Sequence, residues 1–170
     1  MIKGAKELDR KLAMLGDISI RTGVSKGIQH VQGVAKENCP VNDGELKNSI
    51  LTSVQEQGDS TIGSCYTNKS YGPYVELGTG PKGQESHAGI SPNVDVTYSQ
   101  SPWWIHESQI DRNVAEKYHW FYIDTTEGRF YQCSGQAAQP FLYPALKNNK
   151  NTITGIIRDE LKKEIRRTLK

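Results

Sequence analysis

CPVNDGELKNSI, residues 39–50, is the stretch where one kind of backbone gives way to another. Pro40 has no N–H and drives the residue before it out of the helical region, so a helix arriving from the N-terminal side stops here. Asn42-Asp43-Gly44 is a turn signal, and the Asp43 carboxylate suits the free N–H groups of a short helical turn that runs through Ser49. Strand begins at Ile50, where the apolar spacing changes.

Working outward, residues 2–37 read as helix. Leu8, Leu12 and Leu15 form one stripe, and Ile20, Val24, Ile28, Val31 and Ala35 form another, with a break at Gly16-Asp17 between them. On the other side, residues 50–57 and 61–66 flank Gly58-Asp59-Ser60 as a β-hairpin. Residues 71–77 read as a further strand, ended by Gly78 and Gly80. Residues 120–124 and 129–133 flank Thr125-Thr126-Glu127-Gly128 as a second hairpin. The C-terminal segment reads as one long helix with Pro144 in its first turn and Ile153, Ile156, Ile157, Leu161, Ile165 and Leu169 on one face. Asp159 and Lys163 sit at helical pair spacing, and Lys162, Lys163, Arg166, Arg167 and Lys170 complement the dipole at its C-terminal end.

A chain of 170 residues supports one core, so a single domain over 1–170 is expected. Residues 78–119 are long and without period, an inserted loop or arm within that domain. Trp103, Trp104 and Ile105 stand consecutively in it, an apolar cluster that either folds back on its own subunit or serves as a candidate interface with a neighbour. A net charge of +2 with no basic patch before the C-terminus argues against a DNA-wrapping role. No stretch approaches a membrane span, and the charged, helical N-terminus does not read as a signal peptide, which points to a cytoplasm. Cys39, Cys65 and Cys133 are odd in number and widely spaced, as buried thiols are.

Catalytic patterns fail on their own chemistry. Residues 78–83 match GxGxxG formally, but Pro81 removes a donor and no helical period follows, so neither a dinucleotide nor any other cofactor is expected. Lys82 precedes Gly83 where a phosphate-binding loop needs Ser or Thr. His30, His87, His106 and His119 lack ligand spacing, so no metal site is expected. Ser49, Ser70 and Ser134 have no nucleophile elbow, and Glu76 and Asp124 lie on separate elements.

Three motifs in fixed order carry a resemblance: CPVNDGELKNSI at 39–50, YVELGTG at 74–80 and GQAAQPFLYPAL at 135–146. Together they resemble the tail-completion, or head-tail joining, proteins of long-tailed bacteriophages. There a helix precedes a Pro-Val-x-x-Gly-x-Leu-x-x-Ser turn, a Tyr-x-Glu-x-Gly-Thr strand end follows, and Gln-Pro-Phe-Leu-x-Pro-Ala introduces the last helix. The resemblance implies an α+β fold, with a small mostly antiparallel sheet packed by long N-terminal and C-terminal helices. It implies that Pro40, Val41, Gly44, Leu46 and Ser49 set the first corner and that Tyr74, Val75, Glu76, Gly78 and Thr79 fix the second. Gln139, Pro140, Phe141, Leu142, Pro144 and Ala145 then dock the last helix. Asn42-Asp43 departs from the acid-then-Thr or Ser common before the glycine, and the long 78–119 segment departs from the family's interface geometry.

The function so implied is that of a non-enzymatic virion protein of the phage neck, made in the host cytoplasm. Its partners would be itself, as a hexameric ring, together with the head-closure or connector proteins and the tail-terminator or tail-tube proteins. DNA would pass through the channel without sequence-specific binding. A minor tail component or tail-terminator-like protein is the nearest alternative, and a small hydrolase or nuclease the remote one.

Overall fold

The structure is a computed structural model that describes residues 5–16 and 18–169. Ile2, Asp17 and Lys170, and the side chain of Leu15, on which parts of the sequence reading rest, lie outside the described residues. The fold is α+β with helices at both ends. The chain divides into two compact units, one made of the chain up to Lys69 and from Phe141 on, the other of Ser70–Pro140.

The first unit is built on α2 (Arg21–Asn38), preceded by α1 (Ala5–Gly16). Cys39 closes α2 in extended backbone, as the proline after it requires. A one-turn α3 (Glu45–Asn48) leads into the hairpin β1 (Ile50–Gln57) and β2 (Ser60–Thr67), paired without interruption from Ile50↔Thr67 to Gln57↔Ser60. The turn is the two residues Gly58 and Asp59, with Gly58 at φ 58°, so Ser60 already belongs to the strand. One face of this ribbon lies on α2, where a Cβ on Gly63 would come within 2.9 Å of Val24 Cγ1. Short α7 (Leu142–Lys147) and long α8 (Lys150–Thr168) pack on α2 as well. Glycines bring α2 and α8 close, since a Cβ on Gly23 would meet the Ile157 backbone at 3.1 Å and one on Gly27 would meet Ile153 Cγ2 at 3.1 Å. Ile28, Val31, Ala35, Leu46, Ile50, Phe141 and Ala145 form the buried core of this unit.

Two expectations change here. The C-terminal segment is two helices, separated at Asn148-Asn149, where the Asn149 side chain donates to the Ala145 carbonyl at 2.9 Å and bonds His30 at 3.2 Å. Lys163 pairs with Glu160 at 2.7 Å instead of Asp159, because Glu160 also takes Lys26 of α2 at 2.7 Å and so ties α8 to its neighbour. Hydrogen bonds from Lys163, then Lys26, hold the Glu160 carboxyl below the usual carboxylate range. Leu8 and Leu12 of the α1 stripe are exposed, and among the described elements α1 packs on α8.

The second unit holds α4 (Gly72–Leu77), α5 (Gly80–Glu85), α6 (Arg112–Lys117) and the sheet β3 (Trp103–His106), β4 (Tyr122–Thr125) and β5 (Gly128–Cys133). β5 lies in the middle, antiparallel to both neighbours. The strand expected at 71–77 is helix α4, because Gly72-Pro73 supplies the N-terminal turn that proline favours and outweighs the strand preference of Tyr74-Val75. Residues 78–119, read as a long inserted loop or arm without period, contain α5, β3, a 3₁₀ turn at Glu107–Gln109 and α6. Arg129 lies 3.9 Å from the Tyr122 ring centroid and 2.8 Å from the Asp124 carboxylate, whose hydrogen bond raises the guanidinium pKa further.

Candidate interaction surface

The first corner is a closed hydrogen-bonded knot. Gly44 takes φ 84°, a conformation that suits glycine, and Asp43 Oδ1 accepts from the Glu45 N–H at 3.0 Å. The Ser49 hydroxyl donates to the Leu46 carbonyl at 2.7 Å and bonds the Thr67 hydroxyl at 2.6 Å, so the corner is fastened to the far end of β2. Leu46 and Ser49 are buried, Pro40 is half-buried, and Val41 stands in solvent at 63% exposure. Val41 is therefore the apolar side chain this corner offers to something outside.

The second motif and the start of the third meet in the second unit. Thr79 and Gln136 exchange backbone hydrogen bonds of 2.9 and 3.1 Å, Gln139 N–H donates to the Val75 carbonyl at 2.8 Å, and the Gln136 side chain donates to the Tyr74 carbonyl at 2.8 Å. A Cβ on Gly78 would lie 2.8 Å from Ala138 N, and one on Gly83 would lie 2.9 Å from both the Gly78 carbonyl carbon and Tyr98 Cε1. Contrary to expectation, a short helix does follow Gly78 and Gly80, but these glycines serve backbone packing. Glu76 is buried and Tyr74 is exposed. The third motif crosses the boundary between the units: Gln139 and Pro140 end the second, and Phe141, Leu142, Pro144 and Ala145 open α7 in the first.

The aromatic cluster is rearranged by the pleat. Successive strand residues face opposite sides, so Trp103 and Ile105 share one face of β3 and Trp104 the other. Trp103 reaches back to Gly80, where a Cβ would lie 2.9 Å from its Cζ3. Trp104 instead meets Phe121 with ring centroids 6.0 Å apart. Phe121 is 62% exposed, and Ile123, on the same side of the sheet, is exposed too. Trp103 and Trp104 are both exposed, and the patch on the Trp104 side of the sheet is Trp104, Phe121 and Ile123. The period-2 alternation of Trp103-Trp104-Ile105 was the signal that could have split the cluster, and Phe121 has no counterpart in it. Trp104→Ser should leave the melting temperature near the native value and weaken association with partners. Trp103→Ser should cost about 2 kcal/mol through lost packing; equal melting curves for the two variants would contradict this division.

Among the described residues, no group of His, Cys, Asp and Glu is placed to hold a metal ion, and no helix is long and apolar enough to cross a membrane. The free cysteines Cys39 and Cys133 are buried, and burial pushes the half-buried Cys65 thiol up.

Residues 3–78 match the family model described as "Bacteriophage HK97-gp10, putative tail-component". Over these residues the chain is similar to the HK97-gp10-like phage tail components. The match contains the first corner, the ribbon and α4, and it ends at Gly78, before the sheet of the second unit and before α7 and α8. The description is that of a structural component of a phage tail, a part of the virion. No curated protein and no solved structure matches the chain.

Proposed function

We propose that this HK97-gp10-like protein works in the neck of a long-tailed phage, completing the tail and joining it to the head connector as one subunit of a hexameric ring. The observation that carries the reading is the family match over residues 3–78, which contains the first corner motif and residues 74–78 of the second. It is supported by apolar surface that the chain leaves uncovered, at Val41, at Leu8 and Leu12 of α1, and at Trp104, Phe121 and Ile123. Such surface favours association. The protein acts by shape and contact, without catalysis or cofactor, and assembles in the host cytoplasm. The whole chain serves as one neck subunit, the first unit as its body and the 78–119 segment as the arm that reaches a neighbour. DNA passes through the ring without being gripped; a net charge of +2 spread over the chain adds little salt-dependent attraction to phosphate.

Deleting the gene should leave filled capsids and finished tails as separate particles, seen by electron microscopy of lysates. Fully infectious virions from the deletion strain would overturn the role. Tails of uncontrolled length on intact necks would move the protein to the tail terminator instead, a level the family description also accommodates.

A further inference from the structure

We propose that the open edge of β2 is completed by β1 of a second copy of this chain, so that successive copies share one antiparallel sheet. The inference deepens the ring reading by naming the joint. Each strand of the ribbon has one partner, so among the described residues β1 and β2 each keep one unpaired backbone edge. Across a two-residue turn Gln57 and Ser60 are a hydrogen-bonded pair, and bonded and non-bonded pairs alternate from there. Thr61, Gly63 and Cys65 on β2, and Thr52, Val54 and Glu56 on β1, therefore aim their N–H and C=O groups outward. Ile50 has the same parity, and its carbonyl accepts from the Gln32 side chain at 2.7 Å, as an outward carbonyl should.

Edge strands that stay unpaired are protected by lysine, proline, a bulge or an inward charge. β2 reads STIGSCYT over eight residues and has none of these, and its register is unbroken. The end of the β1 edge is capped by Gln32, and Glu56 at the other end lies by Ser19 and Arg21, but Thr52 and Val54 between them are open.

A second copy fits this edge on three counts. β1 and β2 are both eight residues long, and β1 of the next copy laid against β2 continues the alternating strand direction. Two strands occupy about 10 Å and a helix with its side chains about 10–12 Å, so one covering α2 per copy is accommodated at that repeat. On the face away from α2, exposed Ile62 and Tyr66 of one copy come beside exposed Leu51 of the next. Each copy uses two different edges, the kind of contact that forms a ring when the rotation between copies closes.

The test uses the purified full chain. Light scattering should show self-association that rises with concentration. Hydrogen exchange should show the Thr61, Gly63 and Cys65 amides slow in the assembled protein and fast on dilution. Thr61→Pro takes no bond from the intrachain ladder, and Ser64→Lys adds a charge at an exposed position. Thr61→Pro should raise the dissociation constant about tenfold or more, the loss of one or two edge hydrogen bonds; Ser64→Lys should also weaken association, by setting a charge between exposed Ile62 and Tyr66, and both should leave circular dichroism unchanged. An assembled protein whose three edge amides exchange at the monomer rate overturns the joint and leaves the ring reading standing. A chain that stays monomeric at every concentration overturns both. If Thr61→Pro fails to fold, Ser64→Lys and the exchange of the native chain decide.

Discussion

Replacing Phe141 by alanine lowers the stability of the first unit by about 3–5 kcal/mol, the range for deleting a fully buried aromatic ring. Phe141 is 0% exposed and is the largest of the side chains with no solvent contact. It stands between Pro140 and the helix that Pro144 helps start, on a backbone of few conformations, so little entropy is lost in presenting the ring. The alanine variant leaves a cavity beside α2, on which α7 packs, while Phe141→Leu refills most of that volume and should cost about 1–2 kcal/mol. Urea denaturation followed by the helical circular dichroism measures both. An alanine variant with the native midpoint would show that the core closes without this ring.

The ring's burial was legible because Phe141 directly follows Pro140 and stands three residues before Pro144, which leaves few backbone readings of QPFLYP. The hairpin was legible for the same local reason, since its turn and both strands lie within eighteen residues. Residues 78–119 were not. β3 is four residues long and takes its partner β5 from more than twenty positions further on, so no window of the sequence contains both halves of the pattern. The bond of Ser49 to Thr67 and the choice of Glu160 by Lys163 are likewise non-local, the first set by the pairing of β1 with β2, the second by Lys26 arriving from α2. In the candidate site, the first corner could be read residue by residue. The outward aromatic patch could not, because Trp104 finds Phe121 only when the sheet forms.

Gly135→Ala should cost about 3–4 kcal/mol in the second unit, from about 1–2 kcal/mol of left-handed backbone strain and the loss of two hydrogen bonds of about 1 kcal/mol each. Gly135 adopts φ 78°, and its Cβ would fall on the Thr79 carbonyl oxygen, which accepts from Gln136 N–H at 3.1 Å. The new methyl group and the Thr79-Gln136 bridge cannot coexist. Because Trp103, Trp104 and Trp120 all lie in Ser70–Pro140, tryptophan fluorescence reports on this unit. Its denaturation midpoint should fall well below the native one. A native midpoint would mean that the strand end and the segment before Phe141 are held by something other than their shared bridge.

The first unit is discontinuous in sequence, with α7 and α8 separated from α2 by the whole of Ser70–Pro140. On the ribosome, α2 and its ribbon therefore emerge long before α7 and α8, which also pack on α2, and domains form as units when their parts are available. The second unit, one uninterrupted stretch, is complete first. The body of the subunit closes only when α8 has been made, so nascent chains cannot present a finished first unit. Closure of the first unit is thereby timed by translation itself: a polypeptide released before α8 lacks a packing partner of α2.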